Sequence, residues 1–559
     1  MKNFKNLSIT GFFLLISLPV IARQQIPEPA QIERKTLTPE EITQICELPF
    51  SSFDENEFQP YQSLRKNKSP GYKTATINAD YVGGWPQEAI EAFEYAMDIW
   101  ESHVTSSVPI RVEANWVALG EFTLGSAGPT QFLQLTPEDG QTAWYPIALA
   151  SSVNGVDYVE QSQGTGDEVD YDITVNMNAS FPAWYFGTDA QPPSGTYDFV
   201  TVVLHEVGHG LGFTGSMRES GGGSAQWGFG FPVAPLVYDL FVIDGQGNEV
   251  IDQSAYGNPS AGLYDAVTGR RQGLYFAGLK TIGEYDGRPT PLYAPREWAQ
   301  GSSYSHLDYE NFTGTPNALM RPQINSALAV HNPGPLVCTI FGDMGWPLGE
   351  DCAALAGNES KILVNNDATM EGINFGVTNE GELLRKIFTI SNDASALDPL
   401  VARISVSGGD EFRVNTVQRF IVLEPGENIE VPVVYLPSSS GKRTATLNVT
   451  HNSSEVATPL RIKLEGEALE SGTTFLLEQN YPNPFNATTM IPYALSTQAN
   501  VRIDVYDVLG RHVQTLVNEE QSPGRYSQPF RADGLSSGMF IYRIVVDGKS
   551  DIGKLLYSK

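Results

Sequence analysis

From Trp85 to His103 the apolar residues Ala89, Ile90, Phe93, Ala96 and Ile99 return every three or four positions, which predicts an amphipathic helix. TATINADYV before it and VPIRVEANWVAL after it alternate as strands, and AWYPIALASSV and DYDITVNMNA resume the strand pattern beyond a glycine-rich connection. A second helix is predicted in FVTVVLHEVGHGLG, capped by Asp198, whose carboxylate can accept from the free amides of the first turn. Its Phe199, Val202, Val203 and Leu211 are expected to face a core. Strands leading into one buried helix predict an α+β domain with a cleft over residues 73–358. A Gly- and Tyr-rich insertion at 213–305 interrupts it and holds one hairpin, LVYDLFVIDGQGNEVID. At Lys361 the pattern changes to alternating strands separated by turns, a β-sandwich over 359–468. A short polar linker, LESGTT, then leads to a last strand-rich unit at 474–559.

The N-terminal pattern is different. Two lysines, an apolar run from Ile9 to Ile21 and the small residue Ala22 form the pattern of a secretory signal peptide over residues 1–22. The run is shorter than the ~20 residues that span hydrocarbon, so no transmembrane segment is expected in the mature chain. Residues 23–72 are polar and contain proline, as in a pro-segment or arm, with one short helix expected after Thr38. Export permits disulfides, and of the three cysteines Cys338 and Cys352 enclose a short loop and are expected to pair, leaving Cys46 alone. The 559 residues are too many for one core, and 41% hydrophobic with 18% charged residues is the balance of globular domains. The net charge of -30 is spread along the chain and repels phosphate backbones and anionic lipid, which excludes nucleic acid as a partner.

Candidate chemistry lies on the second predicted helix. His205 and His209 are one turn apart, so both imidazoles leave the same face and can reach one zinc ion. Glu206 is rotated away from the first ligand and can take a proton from a metal-bound water. A catalytic zinc takes three protein ligands and leaves one position open. His103 belongs to the early helix that precedes the sheet, and His451 and His512 lie in other units. Glu219 runs into SGGGS, and Asp239 is the other acidic candidate in the insertion. His306 and His331 remain.

The order His205, Glu206, His209, Gly212, then His306, then NALMRP with Met320 and finally FGDMGW resembles the leishmanolysin-type branch of the metzincin zinc peptidases. In that branch H-E-x-x-H-x-x-G is followed by a long insertion before the third histidine. The resemblance implies His306 as third ligand, Met320 as the methionine of a turn beneath the ligands, and a final helix in FGDMGW. In the commoner metzincin pattern the third ligand would stand at Gly215, and His331 stays as the alternative to His306. Asp308 and Tyr309 are candidates for orienting a ligand or holding an oxyanion. A pro-segment thiolate, Cys46, is a possible latency switch on the open zinc position, although TQICELPF lacks the best-known signature of that device. Calcium is a further possible cofactor at GTGDEVDYD, which has carboxylates but no regular ligand loop. Trp227, Tyr238, Tyr293 and Trp298 are candidates for walling a specificity pocket.

The unit at 359–468 resembles the immunoglobulin-like sandwiches of exported modular proteins. LEQNYPNPFNATTMIPYAL, VRIDVYDVLGRHVQTL and LSSGMFIYRIVVDGKSDIGKLLYSK resemble the C-terminal sorting domain of type IX secretion substrates. That implies the type IX machinery as a partner and a secreted or outer-surface location on a Gram-negative bacterium. The expectation is therefore a multidomain protein, an α+β metzincin-like catalytic domain followed by two all-β immunoglobulin-like sandwiches. Its expected function is that of a secreted zinc-dependent endopeptidase with one catalytic zinc, acting on protein or peptide substrates. A catalytically inactive surface adhesin on the same scaffold is the alternative, opposed by Glu206 because a binding module needs no general base. A zinc hydrolase acting on a non-peptide bond is another.

Overall fold

Separate apolar cores follow one another along the chain, and the first is the largest. The computed structural model describes residues 33–36, 44–47, 72–137, 141–164, 166, 168–364, 372–414 and 419–558. The expected signal peptide, most of the pro-segment and the helix expected after Thr38 lie outside the described residues.

The first domain opens with β1 (Arg34–Thr36), β2 (Gln44–Glu47), β3 (Ile77–Val82), α1 (Gln87–His103), β4 (Ile110–Val117), β5 (Thr123–Pro129), β6 (Gln131–Leu135) and β7 (Ala143–Pro146). It continues through α2 (Ile147–Asn154), α3 (Tyr158–Ser162), β8 (Ile173–Asn178), β9 (Trp184–Tyr185), β10 (Tyr197–Asp198) and α4 (Phe199–Gly210). Five strands form one sheet in the order β2-β5-β8-β4-β3. In it β3, β4 and β8 are parallel, β5 runs antiparallel to β8, and β2 runs antiparallel along the outer edge of β5. Ile110, Val112 and Ala114 on β4, and Ile173, Val175 and Met177 on β8, point to one buried face with the two-residue period of a strand. α1 and α4 are joined by Trp100, whose indole Nε1 donates to the Leu204 carbonyl at 3.1 Å and whose ring stacks on Phe341.

Two sequence expectations are corrected here. AWYPIALASSV is a strand only as far as Pro146, and Ile147–Asn154 is a helix, because proline lacks the amide that would continue a ladder and its φ suits a helix start. The glycine-rich connection before it contains β5 and β6.

The insertion contributes β11 (Arg218–Gly221), β12 (Ser224–Gln226), β13 (Val242–Asp244), α5 (Ala261–Val267), β14 (Leu274–Phe276), α6 (Leu279–Glu284) and β15 (Thr290–Pro291). Ile243 bridges Glu249 across the expected hairpin, and β13 also pairs with β14 in a sheet ordered β13-β14-β15. α7 (Tyr309–Phe312), α8 (Pro335–Met344) and α9 (Glu350–Leu355) close the domain, and a Cys338–Cys352 disulfide with Cα atoms 5.3 Å apart ties α8 to α9.

Beyond it stands a sandwich of two sheets. One is Ile362–Val364, Leu384–Asn392, Asn428–Tyr435 and Phe412–Val414 in spatial order, and the other is Ile373–Asn379, Leu460–Leu469, Gly441–His451, Leu400–Ser407 and Ile421–Leu423. Leu400, Ala402, Ile421 and Leu423 point into its core. Val401 and Val422, alternating with them, point outward and pack with Phe420 against Ile243, Ala277 and Ile282 of the first domain. The last unit is a second sandwich, with a three-stranded sheet ending at Gly524–Arg531 and a four-stranded sheet ending at Lys549–Tyr557. Val377, Leu469 and Ala494 pack between the two sandwiches. Among the described residues no helix is long and apolar enough to cross a membrane.

Candidate metal centre

α4 begins where Asp198 Oδ2 accepts from the Thr201 amide at 2.8 Å and from its hydroxyl at 2.7 Å, a cap of the kind worth ~1 kcal/mol. Every residue of the helix is buried, so its two histidines and its glutamate are enclosed on all sides. Gly212 then adopts φ +120°, a conformation that suits glycine. The reversal brings the Phe213 carbonyl to 2.7 Å from His209 Nδ1.

The insertion returns to this point, 97 positions beyond His209, to deliver His306. A side chain at Gly215 would overlap the Tyr304 ring, and the Gly215 amide donates to Ser305 Oγ at 3.2 Å. The place where a shorter motif would carry its third histidine is therefore packed against the residues that lead into His306. The amide of Tyr293 donates to the His306 carbonyl at 2.9 Å, and the amide of Leu307 donates to Met320 O at 2.7 Å.

The three imidazoles converge. His205 Nε2 and His209 Nε2 are 3.1 Å apart, His209 Nε2 and His306 Nε2 3.1 Å, and His306 Nε2 and His205 Nε2 3.2 Å. Each Nδ1 faces a carbonyl oxygen: Leu319 at 2.8 Å from His205, Phe213 at 2.7 Å from His209, Ser302 at 2.8 Å from His306. A carbonyl only accepts, so each Nδ1 carries the hydrogen and each Nε2 presents a lone pair. Burial lowers the His205 pKa to about 4 and pushes His209 and His306 well below the ordinary imidazole range, so the rings are neutral. Three lone pairs directed at one buried point are mutually repulsive until a cation lies between them. Three nitrogens bound at ~2.0–2.1 Å to one tetrahedral zinc stand about 3.3 Å from each other, close to the separations here.

Glu206, next to His205 on α4, is fully buried, with no hydrogen-bond partner on either carboxylate oxygen. Burial raises its pKa well above the ordinary carboxylate value. A methyl at Gly125 of β5 would lie 3.0 Å from Glu206 Cγ and 3.1 Å from Oε1, so the carboxyl rests directly on that strand. Met320 is fully buried beneath α4, where a methyl at Gly208 would meet its sulfur at 2.9 Å.

Other sequence candidates lie elsewhere. His331 Nε2 is 2.7 Å from Asp198 Oδ2, at the cap of α4. His103 Nδ1 bonds to Ile99 O within α1, His451 is buried in the first sandwich, and His512 lies beside Asp504 and Thr515 in the last unit. Asp239 is buried and accepts from Ser216, the Leu236 amide and the Tyr304 hydroxyl, while Glu219 is exposed on β11. Asp308 caps α7 by accepting from the Asn311 amide at 3.0 Å, and the Tyr309 ring carries the guanidinium of Arg321 at 5.1 Å. Trp227 and Tyr238 belong to the core, whereas Tyr293 and Trp298 are half-buried. In the acidic passage Glu168 accepts from the Gly164 and Gly166 amides, and Asp172 from the Arg111 amide at 2.8 Å. Cys46 lies on β2, opposite Gly125.

Sequence reasoning missed the three carbonyls that orient the rings, since a backbone oxygen has no side-chain signature. It also missed Arg321, buried next to Met320, which donates from Nε to Ala318 O at 3.0 Å and from a terminal nitrogen to Thr313 Oγ1 at 2.6 Å. A cationic residue in a buried turn is itself a signal, because such a charge needs partners.

Residues 54–222 match the model of a family described as SPBPB7E8-like, a span that includes His205, Glu206 and His209 and ends before His306. No curated protein matches the chain. Among solved structures, PapD-like domain 7 of human CEP192 is 19% identical, with 20% of this chain and 88% of that one covered at a TM-score of 0.17. The CupB2 chaperone of Pseudomonas aeruginosa is 14% identical, with 34% and 100% covered at 0.16. A protein of unknown function from Porphyromonas gingivalis W83 is 11% identical, with 35% and 99% covered at 0.19. None of these scores is high enough to bear on fold or function. Residues 479–558 match the secretion system C-terminal sorting domain. Residues 479–558 are therefore a type IX sorting domain, and the protein is exported, to the outer cell surface or beyond it.

Proposed function

We propose that residues 73–358 are a zinc-dependent endopeptidase resembling the leishmanolysin branch of the metzincins, acting outside the cell on protein or peptide substrates. The observation that carries the reading is the set of three Nε2 lone pairs directed at one point, with a buried, unpaired carboxyl on the helix that supplies two of them. His205, His209 and His306 would hold the ion, and a bound zinc supplies a water of pKa near ~7 and polarises a carbonyl. The hydrogen bonds from Nδ1 to Leu319, Phe213 and Ser302 keep the rings from turning as the ligand set changes. Glu206 accepts the proton of the attacking water and returns it to the leaving amine.

An adhesin on this scaffold is disfavoured by the same residue. A buried polar group left without a partner costs ~1–3 kcal/mol, more for a charged one, and a binding surface has no use for it. Glu206→Gln is therefore expected to keep bound zinc and to lower casein hydrolysis about 10²- to 10⁴-fold. Zinc bound by the unaltered protein without cleavage of casein or of a peptide library would instead favour the adhesin or a hydrolase of non-peptide bonds.

A further inference from the structure

The third histidine is held by a sheet that is itself held from outside the domain. Pro291 ends β15, and the next two residues reach His306: the Asp308 amide donates to Pro291 O at 3.1 Å, Leu292 bridges Leu307, and the Tyr293 amide donates to His306 O at 2.9 Å. β15 pairs with β14 and β14 with β13. On its far side this sheet, with α6, meets the first sandwich through Ile243, Ala277, Ile282, Val401, Phe420 and Val422. Val401 and Ile282 are fully buried there. A methyl at Gly287 would lie 2.9 Å from Val422 Cγ1, so the backbone after α6 is in contact with the sandwich. Glu249 pairs with Arg403 at 3.1 Å and with Arg419, and Arg419 also donates to Gly247 O beside β13.

We infer that the first sandwich is a buttress for the metal site: its outward residues Val401, Phe420 and Val422 fix the insertion sheet, and that sheet fixes His306. His205 and His209 need no such help, being one turn apart on a helix inside the first core. The sandwich thus sets how firmly the third ligand is held, and with it the residence time of the ion. The inference rests on the reading that the three histidines bind a metal, and it is independent of whether that metal cleaves peptides.

The experiment uses the full chain loaded with zinc, with a Phe420→Ser, Val422→Ser pair and, separately, Glu249→Ala. Both side chains of the pair face away from the core of their own sandwich, so that core is preserved. Zinc transfer to a chelator is expected to quicken about tenfold or more in the pair, the size of effect seen when ligand-supporting groups are lost, and less in Glu249→Ala. Cobalt loaded in place of zinc is expected to lose the intense visible absorption of a four-coordinate site. Phe420→Leu with Val422→Ile is expected to restore both readouts. Leu469→Ser, at the contact between the two sandwiches, is the control and is expected to leave both unchanged. Wild-type zinc loss and cobalt absorption in the serine pair would overturn the inference. Failure of the unaltered chain to bind any metal would overturn the function proposed above, and this inference with it.

Discussion

A methyl group at position 125 would displace the one side chain proposed to move protons. The atoms nearest a methyl at Gly125 are Glu206 Cγ, Glu206 Oε1 and Asn176 O, so Gly125→Ala would separate the proposed general-base chemistry from metal binding. We expect this variant to retain its zinc and to cleave peptides about tenfold more slowly, a barrier increase near 1.4 kcal/mol, with zinc content and kcat as the measurements. Wild-type kcat would mean that the carboxyl is not confined by β5. The side chains of the site were legible to unequal degrees. His205, Glu206 and His209 could be read directly because one helical turn fixes their mutual geometry. His306 could be reached only by elimination and by resemblance, because a contact made across 97 residues leaves no periodic trace. The positions of Leu319 O, Phe213 O and Ser302 O depend on a completed fold.

At the scale of elements, β5 and β6 were strands the sequence concealed. In β5, TLGSAGP has neither alternation nor β-branched residues beyond its first threonine, and at Gly125 a side chain would meet Glu206. β2 lies along the outer edge of this strand, Ile45 opposite Ser126 and Cys46 opposite Gly125. Neighbouring strands are ~4.8 Å apart, so β2 passes one strand width from β5, the strand against which the Glu206 carboxyl rests. An extended peptide seeking the same edge would find it taken. Deleting residues 23–47 is therefore expected to raise peptide hydrolysis about tenfold or more, and Cys46→Ser alone is expected to raise it less, because the backbone ladder survives that change. Equal rates for the full and the shortened chains would reject occupation of that edge as a source of latency. The helices α1 and α4 were legible throughout, since their apolar spacing and the Asp198 cap are local properties.

For the molecule as a whole, the division into a mixed domain and two sandwiches could be seen at the change of pattern near Lys361, because period-two strands and helical stripes differ along the sequence itself. The contact between the first sandwich and the insertion could not be seen, since Val401 and Val422 look like any other strand residues until their outward face is known. The sorting domain has its own cores and meets its neighbour through Val377, Leu469, Ala494 and an Arg525–Glu467 pair. A chain ending before Phe475 is accordingly expected to keep its zinc and its hydrolytic rate while accumulating in the periplasm, as cell fractionation would report. Full recovery of that chain in the medium would contradict the assignment. The Cys338–Cys352 bond adds a constraint on the journey itself. A cross-link closing a loop near 15 residues favours the folded form by about 3 kcal/mol, and it forms in the oxidising space between the two membranes. Were the first domain, about 290 residues, to cross the outer membrane in that folded form, the conduit would have to open to on the order of 50 Å.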